Sequence, residues 1–475
     1  MPRPRHVIWM TCDHLRWEDL GGNGISFAHT PNIDRLIGDG VSFDHAYCQN
    51  PVCMPSRCSF MTGCYPHQVG VTANGQELDP ACPLTAPRCF AAGGYQTAQI
   101  GKLHLQSHED MDLDGRARHD YGFDVFWCDE EPGCYDGPYL RWLASEAPAM
   151  LPRFRTARPA APGRDGETKA PQAIDAPWHY SYSGWIAEQT RRYLATWGAG
   201  RARDEHHFLH CGFYAPHPPL NPTTDMLAPL AARQPPPARR QPGESADKPE
   251  PLCSMLRNPA LDEEETAAYR RHFAAMVTGV DFAVGRIVAM LEEAGVLDDT
   301  LLVFGSDHGD FCGDHGLVCK NVAWYESVAR VPLVLHWPAG LGRGGHRVDG
   351  LVELVDVLPT LLGLAGQRPP PSMSGRDWSA ELLAGDHAAI GRPDALAVHR
   401  PGHLLLRTPT HKYIRYDQGD QPPGEVLYDL RDDPDEFINR AEDPTQEDLL
   451  RQLRDRSLQR LIQASEPINP KIYHF

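Results

Sequence analysis

Two apolar runs constrain this chain more than any other feature. The run His6-Val-Ile-Trp-Met-Thr11 leads into Cys12-Asp13-His14, and Thr300-Leu-Leu-Val-Phe-Gly-Ser306 leads into Asp307-His308. Neither run alternates polar with apolar residues, so each fits a strand buried on both faces, the pattern of a mostly parallel sheet covered by helices on both sides. Further strand-like stretches fall at 95–100, 207–214 and 331–336. Helical patterns fall between them. Thr30-Pro31 reads as N-cap and first helical residue, with Ile33, Leu36 and Ile37 on one face and Gly40 at the end. Residues 262–295 carry a long amphipathic pattern. Strands alternating with helices predict a doubly wound α/β sheet, whose ligand crevice lies beyond the carboxyl ends of the strands. Two such ends deliver an Asp-His pair.

The texture changes near residue 393, where short strands at 395–399, 403–407, 412–416 and 426–430 precede a charged helix at about 446–464. A small antiparallel sheet with a terminal helix is expected there. The 475 residues are therefore expected to divide into a catalytic α/β domain at 1–391 and an α+β subdomain at 392–475. Pro-rich stretches at 148–177 and 216–251 read as long surface loops, equally suited to a lid or to a plain excursion. A net charge of −18 argues against nucleic acid or an anionic membrane surface as the main partner. No apolar run approaches the roughly 20 residues of a membrane span. Thirteen cysteines could indicate a secreted disulfide protein. The odd count and the opening Met1-Pro-Arg-Pro-Arg, which does not resemble a signal peptide, favour a cytoplasmic chain with reduced thiols.

The segment Cys53-Met-Pro-Ser-Arg57, followed by Thr62-Gly63, carries the most chemistry. Pro55 suits a first helical turn, which puts Cys53 at or just before a helix N-terminus. There the helix dipole would lower a thiol pKa or hold an anion, and Arg57 would add a bidentate partner for an oxyanion. A lone cysteine there is more often a buried packing residue.

The segment resembles the sulfatase signature, and other pieces match in order. Thr30-Pro-Asn-Ile-Asp-Arg-Leu36 resembles the helix after the first metal loop of that family. Gly101-Lys102-Leu103-His104 resembles its Gly-Lys-x-His element, and Ala215-Pro-His217-Pro-Pro219 its His-x-Pro loop. Ser306-Asp-His-Gly309, with Gly313-Asp-His-Gly316 and Lys320, resembles its second metal loop. Tyr428-Asp-Leu430 with Asp433-Pro434 and Glu436 resembles its C-terminal subdomain. The resemblance implies an alkaline-phosphatase-like fold and hydrolysis of sulfate monoesters. It also implies that a formylglycine-generating enzyme oxidises Cys53, and that the hydrated aldehyde attacks sulfur to give a covalent sulfo-enzyme. Asp13, Cys53, Asp307 and His308 would hold one divalent cation, calcium first, with manganese or magnesium as alternatives. Arg57 would anchor the formylglycine hydroxyl, and Lys102 and Lys320 would bind sulfate oxygens. His104 would release sulfate, and His217 or Lys320 would protonate the leaving alcohol.

One departure stands out. The family usually places Asp, Asn or Gln after Asp13, and this chain has His14. An imidazole there could ligate and favour manganese or another transition ion, or it could turn away. The nearest alternative function is a phosphonate monoester or phosphodiester hydrolase of the same superfamily. His104 favours the sulfatase, because those hydrolases tend to replace that histidine. The aromatic residues Trp127, Tyr135, Tyr139 and Trp142 could stack an aryl group or a sugar, or simply pack.

Overall fold

A computed structural model describes residues 3–24, 27–107, 119–133, 136–155, 171–198, 205–257, 259–400 and 402–465. Residues 156–170 of the first Pro-rich stretch, and Tyr135, lie outside them.

The principal sheet is built from β1 (His6–Asp13), β2 (Val41–Phe43), β4 (Tyr95–Gly101), β5 (Val125–Cys128), β6 (His206–Pro216), β7 (Thr300–Ser306), β9 (Leu333–His336) and β10 (His346–Val348). Its order is β10-β2-β9-β7-β1-β6-β4-β5. All neighbours pair parallel except at β9, which runs antiparallel to both β2 and β7. A second sheet has the order β11-β3-β8, made of β3 (Ala46–Tyr47), β8 (Arg330–Val331) and β11 (Val352–Glu353).

The continuous apolar runs behave as expected of strands with two buried faces. In β1, Ile8 and Met10 enter one core with the helices Pro31–Asp39, Tyr182–Leu194 and Glu263–Glu293. Val7 and Trp9 enter the opposite core with the helices Cys53–Thr62, Ala86–Ala92 and Val357–Leu364. The fold is therefore a mixed, mostly parallel sheet between two layers of helix. By length and composition Glu263–Glu293 could cross a membrane, which corrects the expectation that no apolar run reaches that size. Here it is a core helix with most of its apolar window buried, capped by a box between Asp262 and Glu265.

The antiparallel sheet β12 (Ala395–Arg400), β13 (His403–Arg407), β14 (His411–Tyr416) and β15 (Gly424–Asp429) forms as its alternation predicts. One face packs Leu405, Ile414 and Val426 against Trp324 and Tyr325. The other packs Leu404, Leu406 and Leu427 against Leu450 and Leu453 of the helix Glu447–Gln463. The stretch 216–251 is tied down rather than detached: Arg239 donates to both Glu18 and Asp314, and Arg240 donates to the carbonyl of Gly313. Tyr139 is core, packed edge-on against Tyr182 and Trp185.

Candidate active site

Four adjacent parallel strands, in the order β7-β1-β6-β4, end at one edge of the sheet. Their carboxyl ends deliver Asp307 and His308, Asp13 and His14, His217, and Lys102 and His104. The N-terminus of the helix Cys53–Thr62 reaches the same point, with Cys53 as its first residue. Gly309 and Gly212 make this convergence possible. A Cβ on Gly309 would stand 1.9 Å from the carbonyl oxygen of Ser327, and one on Gly212 would stand 1.7 Å from that of Lys102.

Asp13, His14, Cys53 and His308 are fully buried, and one ligand atom from each lies within 4.8 Å of every other. The Cys53 thiol is 3.5 Å from Asp13 Oδ1 and 3.2 Å from His308 Nε2. His308 Nδ1 bonds the carbonyl of Gly309 at 2.8 Å, so Nδ1 carries the hydrogen and Nε2 turns a lone pair toward the group. His14 Nε2 lies 3.7 Å from Asp13 Oδ1 and is a buried nitrogen with no hydrogen-bond partner. A carboxylate oxygen, two imidazole nitrogens and a sulfur around one point, one of them orphaned, fit a divalent cation.

The cationic side is equally ordered. Lys102 Nζ is 2.6 Å from Asp13 Oδ2 and stands over the ring of Tyr214. Burial alone would push the Asp13 carboxyl up; the charges of Lys102 and Arg57 instead hold it well below the usual carboxylate range. Arg57 Nε donates to Asp307 Oδ2 at 2.7 Å. The other oxygen, Asp307 Oδ1, accepts from the backbone N–H groups of His308 and His14. Asp307 therefore borders the four-residue group, 3.9 Å from His308 Nε2, with both oxygens committed within the protein.

The thiol itself departs from the helix-dipole expectation. Burial, followed by the Asp13 carboxylate, pushes Cys53 up to about 12, and the positive charges of Lys320 and Lys102 do not offset this. Desolvation of an anion in a closed pocket outweighs one helix terminus. Cys53 as cysteine is a neutral thiol here.

At the half-buried rim, Lys320 Nζ lies 3.0 Å from His217 Nε2. Burial and Lys320 hold His217 well below its ordinary pKa, so the imidazole is neutral. His104 is buried just beyond β4 with a φ of 56°, and its backbone N–H donates to Glu130 Oε1 at 2.8 Å. His315 is elsewhere, stacked on Tyr325 and bonded to Glu244. Cys12, Cys58, Cys312 and Cys319 are buried and form no disulfide among the described residues, as packing residues would.

Three functional neighbours escaped the sequence reading. Asp310 Oδ2 accepts from His14 Nδ1 at 2.8 Å and from the Tyr269 hydroxyl at 3.1 Å. Glu130, which receives the His104 N–H, is the third. Both acids lie within four residues past a strand end, close to positions like those of Asp13 and Asp307, and that shared placement was the available signal.

The general sulfatase family model matches residues 5–367, and a model for the C-terminal part of N-sulphoglucosamine sulphohydrolase matches 313–464. An arylsulfatase of Clostridium perfringens is 28% identical over 467 residues, covering 91% of this chain and 89% of its own. An N-acetylglucosamine-6-O-sulfatase of Bacteroides thetaiotaomicron is 28% identical over 395 residues, covering 78% of this chain and 70% of its own. Among solved structures, the phosphonate monoester hydrolase of Agrobacterium radiobacter superposes with a TM-score of 0.79 at 24% identity, covering 97% of this chain and 96% of its own. That likeness establishes the alkaline-phosphatase-like fold. With its family model spanning most of the length and its strand ends meeting at Cys53, the chain belongs to the sulfatase family.

Proposed function

We propose that this protein hydrolyses sulfate monoesters to an alcohol and inorganic sulfate. The observation that carries the reading is the meeting of Asp13, His14, Cys53 and His308 with Lys102 at one buried point. The reading includes conversion of Cys53 to formylglycine by a formylglycine-generating enzyme, the hydrated aldehyde supplying the attacking hydroxyl. Asp13 and His308, with Cys53 and the bordering Asp307, would hold one divalent cation, which neutralises ester oxygens and lowers the pKa of that hydroxyl.

The chain's own groups have separate tasks. Arg57 fixes Asp307 through its Nε and lies 3.8 Å from Asp13, so it orients both carboxylates. Lys102 and Lys320 place positive charge for the sulfate oxygens. Between neutral His217 and Lys320 the proton resides on the lysine, which makes that pair the donor to the leaving oxygen. His104, held by Glu130, serves as the base for sulfate release. The same reading assigns catalysis to 1–391 and support to 392–475, and places the enzyme in the cytoplasm, in keeping with the free thiols of its described cysteines.

Mass spectrometry of the tryptic peptide bearing Cys53 tests this, on protein co-expressed with a formylglycine-generating enzyme. An aldehyde in place of the thiol, together with sulfate release lost in Cys53→Ala, is expected. Sulfate release from protein whose Cys53 is still a thiol would refute the mechanism.

A further inference from the structure

We infer that the cation site of this chain is built for a first-row transition ion, with His14 as a second imidazole ligand and Asp310 as the residue that positions it. The inference rests on the metal-dependent reading above and adds the class of ion. His14 Nδ1 lies 2.8 Å from Asp310 Oδ2, so that ring nitrogen is engaged by the carboxyl group, in the geometry of an Nδ1–H donor. His14 Nε2 then presents a lone pair, and it does so toward Asp13 Oδ1, fully buried and without a hydrogen-bond partner. Asp310 is itself held from two further directions, by the Tyr269 hydroxyl at 3.1 Å and by the Cys312 N–H at 2.8 Å. A carboxylate behind a histidine is the arrangement that fixes the tautomer and ring orientation of a ligating imidazole.

The backbone points the same way. His14 has a φ of 75°, the left-handed region that non-glycine residues rarely occupy. That conformation, directly after the last residue of β1, aims the ring back toward Asp13 and His308. Its ring centroid lies 4.6 Å from that of His308. Two imidazole nitrogens, from His14 and His308, thus join the Asp13 carboxylate, Cys53 and the bordering Asp307. Calcium collects six to eight oxygens, whereas imidazole nitrogens suit zinc, copper, iron and nickel, and any first-row ion, manganese included, takes a mixed nitrogen and oxygen set more readily than calcium does. On this inference the ion is a transition metal in place of the calcium that the resemblance implies.

The test uses metal-stripped full-length protein dialysed against equimolar Mn²⁺ and Ca²⁺, with bound metal counted by mass spectrometry. Visible absorption on titration with Co²⁺ serves as a second readout. Wild type is expected to keep about one Mn²⁺ in at least tenfold preference to Ca²⁺ and to give a Co²⁺ d–d band. His14→Gln, which offers an amide oxygen, should reduce that preference about tenfold or more and alter the band. Asp310→Asn should weaken Mn²⁺ binding by roughly 10–100-fold, as loss of a carboxylate behind a ligand does. Thermal melts confirm that each variant is folded; if His14→Gln is not, Asp310→Asn carries the test alone. Wild type loaded with Ca²⁺, or folded variants with unchanged Mn²⁺ binding and an unchanged Co²⁺ band, would overturn the inference and leave the sulfatase reading intact. Wild type that binds no divalent ion would overturn both.

Discussion

Lys102→Met removes one partner of a fully buried ion pair, and its effect can be worked through. Lys102 Nζ stands 2.6 Å from Asp13 Oδ2, with Asp13 inaccessible to solvent and Lys102 only 1% exposed. Removing one member of such a pair costs about 3–5 kcal/mol. Two effects bound the figure. Arg57 Nη2 remains 3.8 Å from Asp13, which favours the lower end. Protonation of Asp13 caps the cost at about 1.4 kcal/mol for each pH unit above an ordinary carboxyl value near 4, hence about 4 kcal/mol at pH 7. We therefore expect about 3 kcal/mol. The unfolding entropy of 475 residues, at about 2.1 cal/mol/K each, is close to 1 kcal/mol/K, so the melting temperature should fall by about 3 °C. The pH dependence arises in the variant: the depressed wild-type carboxyl keeps its contribution complete down to an ordinary carboxyl value, whereas without Lys102 burial raises Asp13, so the deficit shrinks with falling pH as Asp13 takes up a proton. At pH 5 the cap is about 1.4 kcal/mol and the deficit should shrink to about 1 °C. Calorimetry on chelator-treated wild type and variant at both pH values provides the assay, and a saturating divalent cation should narrow the gap by taking over the charge of Asp13. A deficit below 1 °C at pH 7, or one equally large at pH 5, would refute the reasoning.

Two other perturbations test the scaffold. His6 and His207, paired neighbours on β1 and β6, both stack on the Trp197 ring and are held neutral, chiefly by burial, down to about 3 and about 4. Their contribution is complete above the unfolded value near 6.5 and is lost as pH falls toward those figures, at about 1.4 kcal/mol per unit for each; His6→Phe should lose about 2 °C less than wild type between pH 7 and pH 5 in thermal melts, and an identical loss would contradict the assignment. Gly212→Ala would set a Cβ 1.7 Å from the Lys102 carbonyl oxygen, where backbone must move on one side or the other. Soluble yield and kcat should both fall, the latter at least about tenfold through displacement of Lys102, and a well-folded variant of wild-type rate would show that the β4–β6 approach does not position the lysine.

The parts of the fold that were legible in sequence are those whose burial is decided locally. Strands β1 and β7 are long, apolar throughout and bounded by polar residues, and Asp262 caps the helix Glu263–Glu293 within four residues of chain. Strands of two to four residues such as β2, β3, β8, β10 and β11 are too short to set up any periodicity; they exist because a neighbouring strand supplies their hydrogen bonds. The helix Tyr182–Leu194 went unread for a related reason, its start being set by Ser181 capping Gly184 next to a Pro-rich stretch. In the site, the residues beside motif glycines and prolines could be named only through the family resemblance of those motifs. The orientation of His14 could not, since it is decided by Asp310, 296 residues away. Nor could the raised thiol of Cys53, since desolvation depends on everything that closes over it.

The central claim is that the site is a sulfate ester hydrolase rather than a phosphonate or phosphodiester hydrolase on the same fold. The direct measurement is kcat/KM for one aryl alcohol carried as its sulfate, its phosphonate monoester and its phosphate diester, on protein whose Cys53 conversion has been quantified by mass. The account predicts that the sulfate is the best of the three, and that Lys102→Met and His104→Ala lower its turnover. A phosphonate or diester turned over several decades faster than the sulfate would contradict it.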